Sequence, residues 1–76
     1  TVCLPSRGYF QLADKGKQVG QVQKLLAWMD FYTGKIDSIY GPETVKAVKK
    51  LQDLIGTTQN GKFGNKCLPF CKKYKK

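Results

Sequence analysis

Seventy-six residues, 41% of them hydrophobic, suffice for one domain with a thin core, because a chain this short buries only about 60% of its unfolded surface. Fourteen basic and five acidic residues give a net charge of +9, which favours polyanionic partners, and the absence of histidine removes the usual catalytic base near neutral pH. No apolar run approaches the roughly 20 residues of a membrane span, so a transmembrane segment, a deep substrate cavity and ordinary acid–base catalysis are all excluded from the expectations.

In chain order, residues 1–11 read as an irregular arm, since Pro5, Ser6 and Gly8 interrupt any regular element. Cys3, Leu4, Tyr9 and Phe10 are its candidates to lie along the body. Asp14 to Gly16 forms a turn, with Asp14 placed to cap the next element. The spacing of Val19, Val22, Leu25, Leu26 and Met29 predicts a helix over 17–30, with Lys24 outside its apolar stripe and Trp28 at the edge. Phe31 packs back on the core and Gly34 turns the chain. The next stretch carries two further turn signals, Asp37-Ser38 and Gly41-Pro42, and ends by launching a second helix over 42–55. Pro42 suits a first helical position, where its missing N–H costs no bond. Glu43 complements the helix dipole, and Gly56 is the natural C-cap. The predicted buried stripe is Val45, Val48, Leu51, Leu54 and Ile55. After a turn over 57–61, a short third helix spans 65–73. Pro69 is tolerable there only near the first turn, Phe70 reaches the core, and Cys67 and Cys71 share a face. The basic residues of 72–76 form a tail. The expected fold is all-α, a compact three-helix bundle with two turn-rich loops over residues 12–71, flanked by the arm and the tail.

The two loops echo each other. Ile36-Asp37-Ser38-Ile39-Tyr40-Gly41 aligns with Gln59-Asn60-Gly61-Lys62-Phe63-Gly64, and an apolar-Gln pair precedes each, Val22-Gln23 and Leu51-Gln52. A glutamine turned inward must be paired, so Gln23 and Gln52 are expected to tie down the loop backbone they face, with ligand contact as the alternative. Asp37 is expected to accept backbone N–H bonds within its own turn. The glycine-rich loops lack the lysine ending and preceding strand of a phosphate cradle. Three cysteines allow one disulfide, from Cys3 to Cys67 or to Cys71, worth typically about 2–4 kcal/mol; the alternative is three reduced thiols. Without histidine, Cys67 and Cys71 make a poor zinc site.

Together these motifs resemble the bacterial peptidoglycan-binding domain, a small helical module appended to cell-wall hydrolases. Gly16, Val19, Val22, Gln23 and Leu26 match its first helix; Gly34, Asp37, Tyr40, Gly41 and Thr44 its first loop. Ala47, Val48, Leu51 and Gln52 match its second helix, and Asn60, Gly61, Phe63 and Gly64 its second loop. The likeness spans roughly residues 10–70 and departs at Ser38, Asn60 and Cys67, where the family has glycine, aspartate and threonine. At positive φ, Ser38 would add strain of order 1 kcal/mol. Because Cys67 falls on a family core position, the favoured bridge is Cys3 to Cys71. The resemblance implies a non-catalytic module that needs no cofactor or metal and holds an attached hydrolase or endolysin on peptidoglycan. Anionic wall polymers are possible further partners, and the setting is extracellular or in the cell wall, secreted or phage-released. A chain beginning at Thr1, without an initiator methionine, is expected to be processed or cut from a longer protein. The sugar-stacking candidates are Trp28, Tyr32 and Tyr40, with Lys35 beside them for a peptide carboxylate. The runner-up is a small basic nucleic-acid-binding domain, against which stands a single arginine, Arg7. A membrane-active cationic protein would need a strongly basic, aromatic-edged helix face, which neither long helix has.

Overall fold

The computed structural model describes residues 4–73. Its elements are β1 (Tyr9–Phe10), α1 (Lys17–Trp28), α2 (Pro42–Ile55), β2 (Phe63–Gly64) and α3 (Cys67–Lys73). The apolar stripe of α1 turns Val19, Val22 and Leu26 inward together with Gln23. This helix stops two residues short of the sequence expectation. The N–H groups of Phe31 and Tyr32 both reach back to the Leu26 carbonyl, at 2.9 and 3.3 Å, after Asp30 takes a left-handed conformation with φ 66°. That reversal returns the chain to the core and buries Tyr32. Asp14 does not cap α1. The N-cap is Gly16, and the Asp14 carboxylate accepts the Gln11 N–H and pairs with Arg7 instead. Partial burial works to raise the Asp14 pKa, but the Gln11 and Arg7 donors outweigh it and hold the carboxyl below its usual range.

Helix α2 keeps the bounds read from the sequence. Pro42 lies in its first turn, and Gly56 ends it at φ 87°, its N–H bonded to the carbonyls of Gln52 and Asp53. The buried face is Thr44, Ala47, Val48, Leu51 and Gln52, spaced at i, i+3, i+4, i+7 and i+8. Leu54 falls beyond the edge of that face and is exposed, contrary to the predicted stripe. Pro69 occupies the third position of α3, where its missing N–H removes no intrahelical bond. Phe70 packs against the core as expected.

The arm is not irregular throughout. Tyr9 and Phe10 pair antiparallel with Gly64 and Phe63, so the first and last thirds of the chain share a two-stranded ribbon. Strands of two residues have no room for an alternating pattern, and their partners lie more than fifty positions apart. Phe10 and Phe63 are buried in register, fastening the ribbon to a core built mainly of Tyr40, Leu26, Leu51, Val19, Val22, Val48 and Met29. The fold is therefore the expected helical one with a small ribbon added.

Candidate functional site

Both loops are held by the same device. The Gln23 amide lies fully buried on α1 and faces the first loop. Its Oε1 accepts the Ser38 N–H at 2.9 Å, and its Nε2 points at the Ile39 carbonyl (2.8 Å) and Asp37 Oδ1 (3.0 Å), with Thr44 Oγ1 and Tyr32 Oη at 3.1 and 3.3 Å. Asp37 Oδ1 also accepts the Ile39 N–H at 3.0 Å, closing an Asx turn. The Gln23 amide first, then that N–H, hold the Asp37 carboxyl below its ordinary pKa. On α2 the Gln52 Oε1 accepts the Gly61 N–H at 2.9 Å, and its Nε2 donates to Asn60 Oδ1 and to the Lys62 carbonyl, both at 2.8 Å. Asn60 Oδ1 closes the matching turn on the Lys62 N–H at 2.9 Å. Each loop thus has a glutamine as an artificial strand edge, an Asx residue as its turn, and a residue of positive φ between: Ser38 at 61° and Gly61 at 74°.

The space around those two residues differs. A Cβ on Gly20 of α1 would lie 2.5 Å from Ser38 Oγ, whereas a Cβ on Gly61 would lie 2.8 Å from Val45 Cγ1 and 3.5 Å from Lys49 Cε. The serine hydroxyl points into the space that the bare Gly20 leaves on the helix opposite. The first loop is also fixed from its other side, where Ala13 and Gly16 donate to the Tyr40 and Ser38 carbonyls and Tyr40 donates to Asp14.

Two of the four expected ligand contacts need correction. Tyr40 is wholly buried, with its hydroxyl donating to the Gly61 carbonyl at 2.6 Å, so it links the two loops and offers no ring face. Tyr32 is 7% exposed and donates to the Lys35 carbonyl at 2.5 Å. The ring packs within 3.0 Å of where a Gly34 Cβ would stand, which accounts for the glycine there. Trp28, at the end of α1, is 43% exposed, and Lys35 is solvent-facing. Gly41 is the N-cap of α2, and Gly64 sits opposite Tyr9 in the ribbon.

A groove of about 530 Å³ opens elsewhere, between the ribbon, the second loop and the start of α3. Arg7, Tyr9, Thr58, Lys62, Asn65 and Lys66 are its main exposed or half-exposed walls, with Gln52 and Cys67 at the base. The Arg7 and Lys62 cations stand 5.4 and 5.1 Å from the centre of the Tyr9 ring. Sequence reasoning missed this feature, because its residues come from three separate segments. The one available signal was the placement of Lys62 and Lys66 on either side of the second loop's aromatic-glycine pair.

Cys67 and Cys71 are free, buried thiols, with Cys71 Sγ 3.7 Å from Met29 Sδ. Cys3, the other half of the expected bridge, lies outside the described residues, as does the far end of the basic tail. Burial raises both pKa values, that of Cys71 to about 12 with the neighbouring Cys67 adding to it, and raises that of Tyr40 as well. Folded-state values above the unfolded ones mean that this contribution to stability is intact below about pH 9 and drains as pH rises toward 12. Each group that ionises only on unfolding adds a slope of roughly 1.4 kcal/mol per pH unit. Urea melts between pH 7 and 11 should therefore show a flat midpoint and then a fall beginning near the ordinary thiol pKa; a midpoint level to pH 11 would contradict the burial of these groups. Among the described residues no group of three or more Cys, Asp or Glu side chains could hold a metal, and no helix is long and apolar enough to cross a membrane.

Residues 15–68 match the family described as "Putative peptidoglycan binding domain". The chain is 40% identical over 66 residues to N-acetylmuramoyl-L-alanine amidase CwlA of Bacillus subtilis (strain 168), a match covering 75% of this chain and 24% of that protein. It is 44% identical over 50 residues to the amidase CwlH of the same strain, covering 58% of this chain and 20% of that protein. It spans a quarter or less of the length of either amidase. The crystal structure of the SleB N-terminal domain superposes with a TM-score of 0.82 at 31% identity, covering 90% of this chain and 93% of that one.

Proposed function

Because the chain belongs to the peptidoglycan-binding domain family, we propose that it is a non-catalytic module that holds an attached cell-wall hydrolase on peptidoglycan. The observation that carries the reading is the pair of glutamine-locked loops: the motif positions that mark the family are the ones that build this fold. Binding is the only contribution the module makes, and it acts by raising the effective concentration of the attached catalytic domain. Membership of the family supports an extracellular or cell-wall setting; secretion with the parent enzyme, or release by a phage, is the finer form of the proposal. The amidase relatives, by their names, suggest an amidase as that enzyme. With Tyr32 and Tyr40 buried, the contact surface is the groove beside the second loop, while Trp28 and Lys35 remain candidates for a further contact.

The test is retention on purified bacterial sacculi stripped of wall polymers, across a salt series, with polyglutamate-coated beads as the charge control. The expected result is retention on sacculi that persists at salt concentrations releasing the domain from polyglutamate. Equal release from both would reduce the behaviour to that of a generic polycation, and no retention at low salt would overturn the reading.

A further inference from the structure

We propose that the groove between the ribbon and the second loop is a carboxylate subsite, through which the module grips the stem peptides of peptidoglycan rather than its glycan strands; this rests on the wall-binding reading above. The groove's lining contains three cationic residues, Arg7, Lys62 and Lys66, and no acidic one. Arg7 is already neutralised by Asp14. Lys62 and Lys66 are exposed and, among the described residues, neither is in an ion pair. Lys62 is not a loose surface lysine. Its backbone is pinned by Gln52 and Asn60, and its ammonium stands over the Tyr9 ring, so its position at the rim is set before a ligand arrives.

The remaining polar wall adds neutral donors, the amides of Asn60 and Asn65 and the hydroxyls of Thr57 and Thr58. Two unpaired ammonium groups among amide and hydroxyl donors match an acceptor-rich, negatively charged ligand. Sugar recognition asks for something else, a broad open aromatic face. Tyr9 is the lone aromatic of the lining, it is half-buried, and cations stand close to its ring. In peptidoglycan the free carboxylates are carried by the stem peptides.

The experiment compares the wild-type domain with Lys62→Gln, Lys66→Gln and the double variant, and with Lys24→Gln/Lys50→Gln as a charge-matched control on exposed helix positions away from the groove. Circular dichroism checks that each stays folded. The probes are sacculi stripped of wall polymers, the same sacculi with their carboxylates amidated, and two soluble competitors: released stem peptides and peptide-free glycan strands. Each groove lysine should weaken retention about threefold and the pair about tenfold, the scale of exposed ion pairs, while the control pair changes it less than twofold. Amidated sacculi should lose the wild-type domain, and stem peptides should compete where glycan strands do not. Competition by glycan strands, or a double variant no weaker than the control, would overturn the carboxylate subsite and leave wall binding standing. Retention that vanishes when phosphate-bearing wall polymers are stripped, or is absent altogether, would overturn both.

Discussion

Gln23→Leu should remove a large share of the domain's stability. The substitution keeps the volume and deletes the amide that holds the first loop from the side of α1. The Ser38 N–H, the Ile39 carbonyl and the Asp37 carboxylate then lose their shared partner in a site closed to water on the helix side. The two backbone groups orphaned in this way cost about 1–3 kcal/mol each, for a total of about 2–6 kcal/mol, while the exposed Asp37 carboxylate turns to water. A chain of this length has roughly 4–11 kcal/mol to lose. The corresponding drop in melting temperature is at least about 8 °C. Gln23→Glu should be as damaging, because it sets a carboxylate where Asp37 Oδ1 now accepts a bond at 3.0 Å. A fall of only a few degrees in either variant would show that the loop is held by its neighbours on the other side and not by the glutamine.

The second large effect is expected at Gly61. At φ 74° any side chain costs about 1–2 kcal/mol, and a Cβ there would lie 2.8 Å from Val45 Cγ1, adding about 1–3 kcal/mol of overpacking. Gly61→Ala should thus cost about 2–5 kcal/mol. It should also loosen the Tyr40 hydroxyl from the Gly61 carbonyl, and with it the link between the two loops. Adding Val45→Ala to Gly61→Ala separates the two terms: the steric part should be recovered and the backbone part should persist. Denaturant melts of the single and double variants measure both. A single variant within 0.5 kcal/mol of wild type, the range of an ordinary surface change, would refute the prediction.

Much of this architecture was legible from residue types alone. Pro42 and Gly56 punctuate α2 so plainly that its bounds needed no correction. The locks were legible too, since a glutamine inside an apolar stripe, ahead of an Asx turn, has few partners other than loop backbone. The end of α1 was less so: Met29 continues the apolar stripe, and what stops the helix is the return of Phe31 and Tyr32 to the Leu26 carbonyl. Tyr32 and Tyr40 misled for a physical reason. An aromatic residue in a polar loop reads as displayed to solvent, yet a phenol can be buried at little cost once its hydroxyl finds a carbonyl, as both do here. The ribbon and the groove were invisible because pairing between Tyr9 and Gly64 leaves no local periodicity. Lys62 and Lys66 look like any other members of a chain with fourteen basic residues until the fold sets them beside Tyr9.

The opposed surfaces at Gly20 and Ser38 have a historical consequence. Position 20 lies three residues before Gln23, as position 49 lies three before Gln52. In the first half the helix is bare and the loop carries the side chain; in the second, Lys49 stands on the helix and Gly61 is bare. The two halves are nevertheless not equivalent. At position 20 the obstacle is a single serine hydroxyl, the free end of a side chain that can turn, and the next atom, Ser38 Cβ, lies at an ordinary 3.5 Å. At position 61 the obstacle is the branched side chain of Val45, while Lys49 at 3.5 Å is in ordinary contact. A lineage can therefore add a methyl at position 20 by re-aiming one hydroxyl, whereas a side chain at position 61 must displace Val45 and accept a left-handed backbone as well.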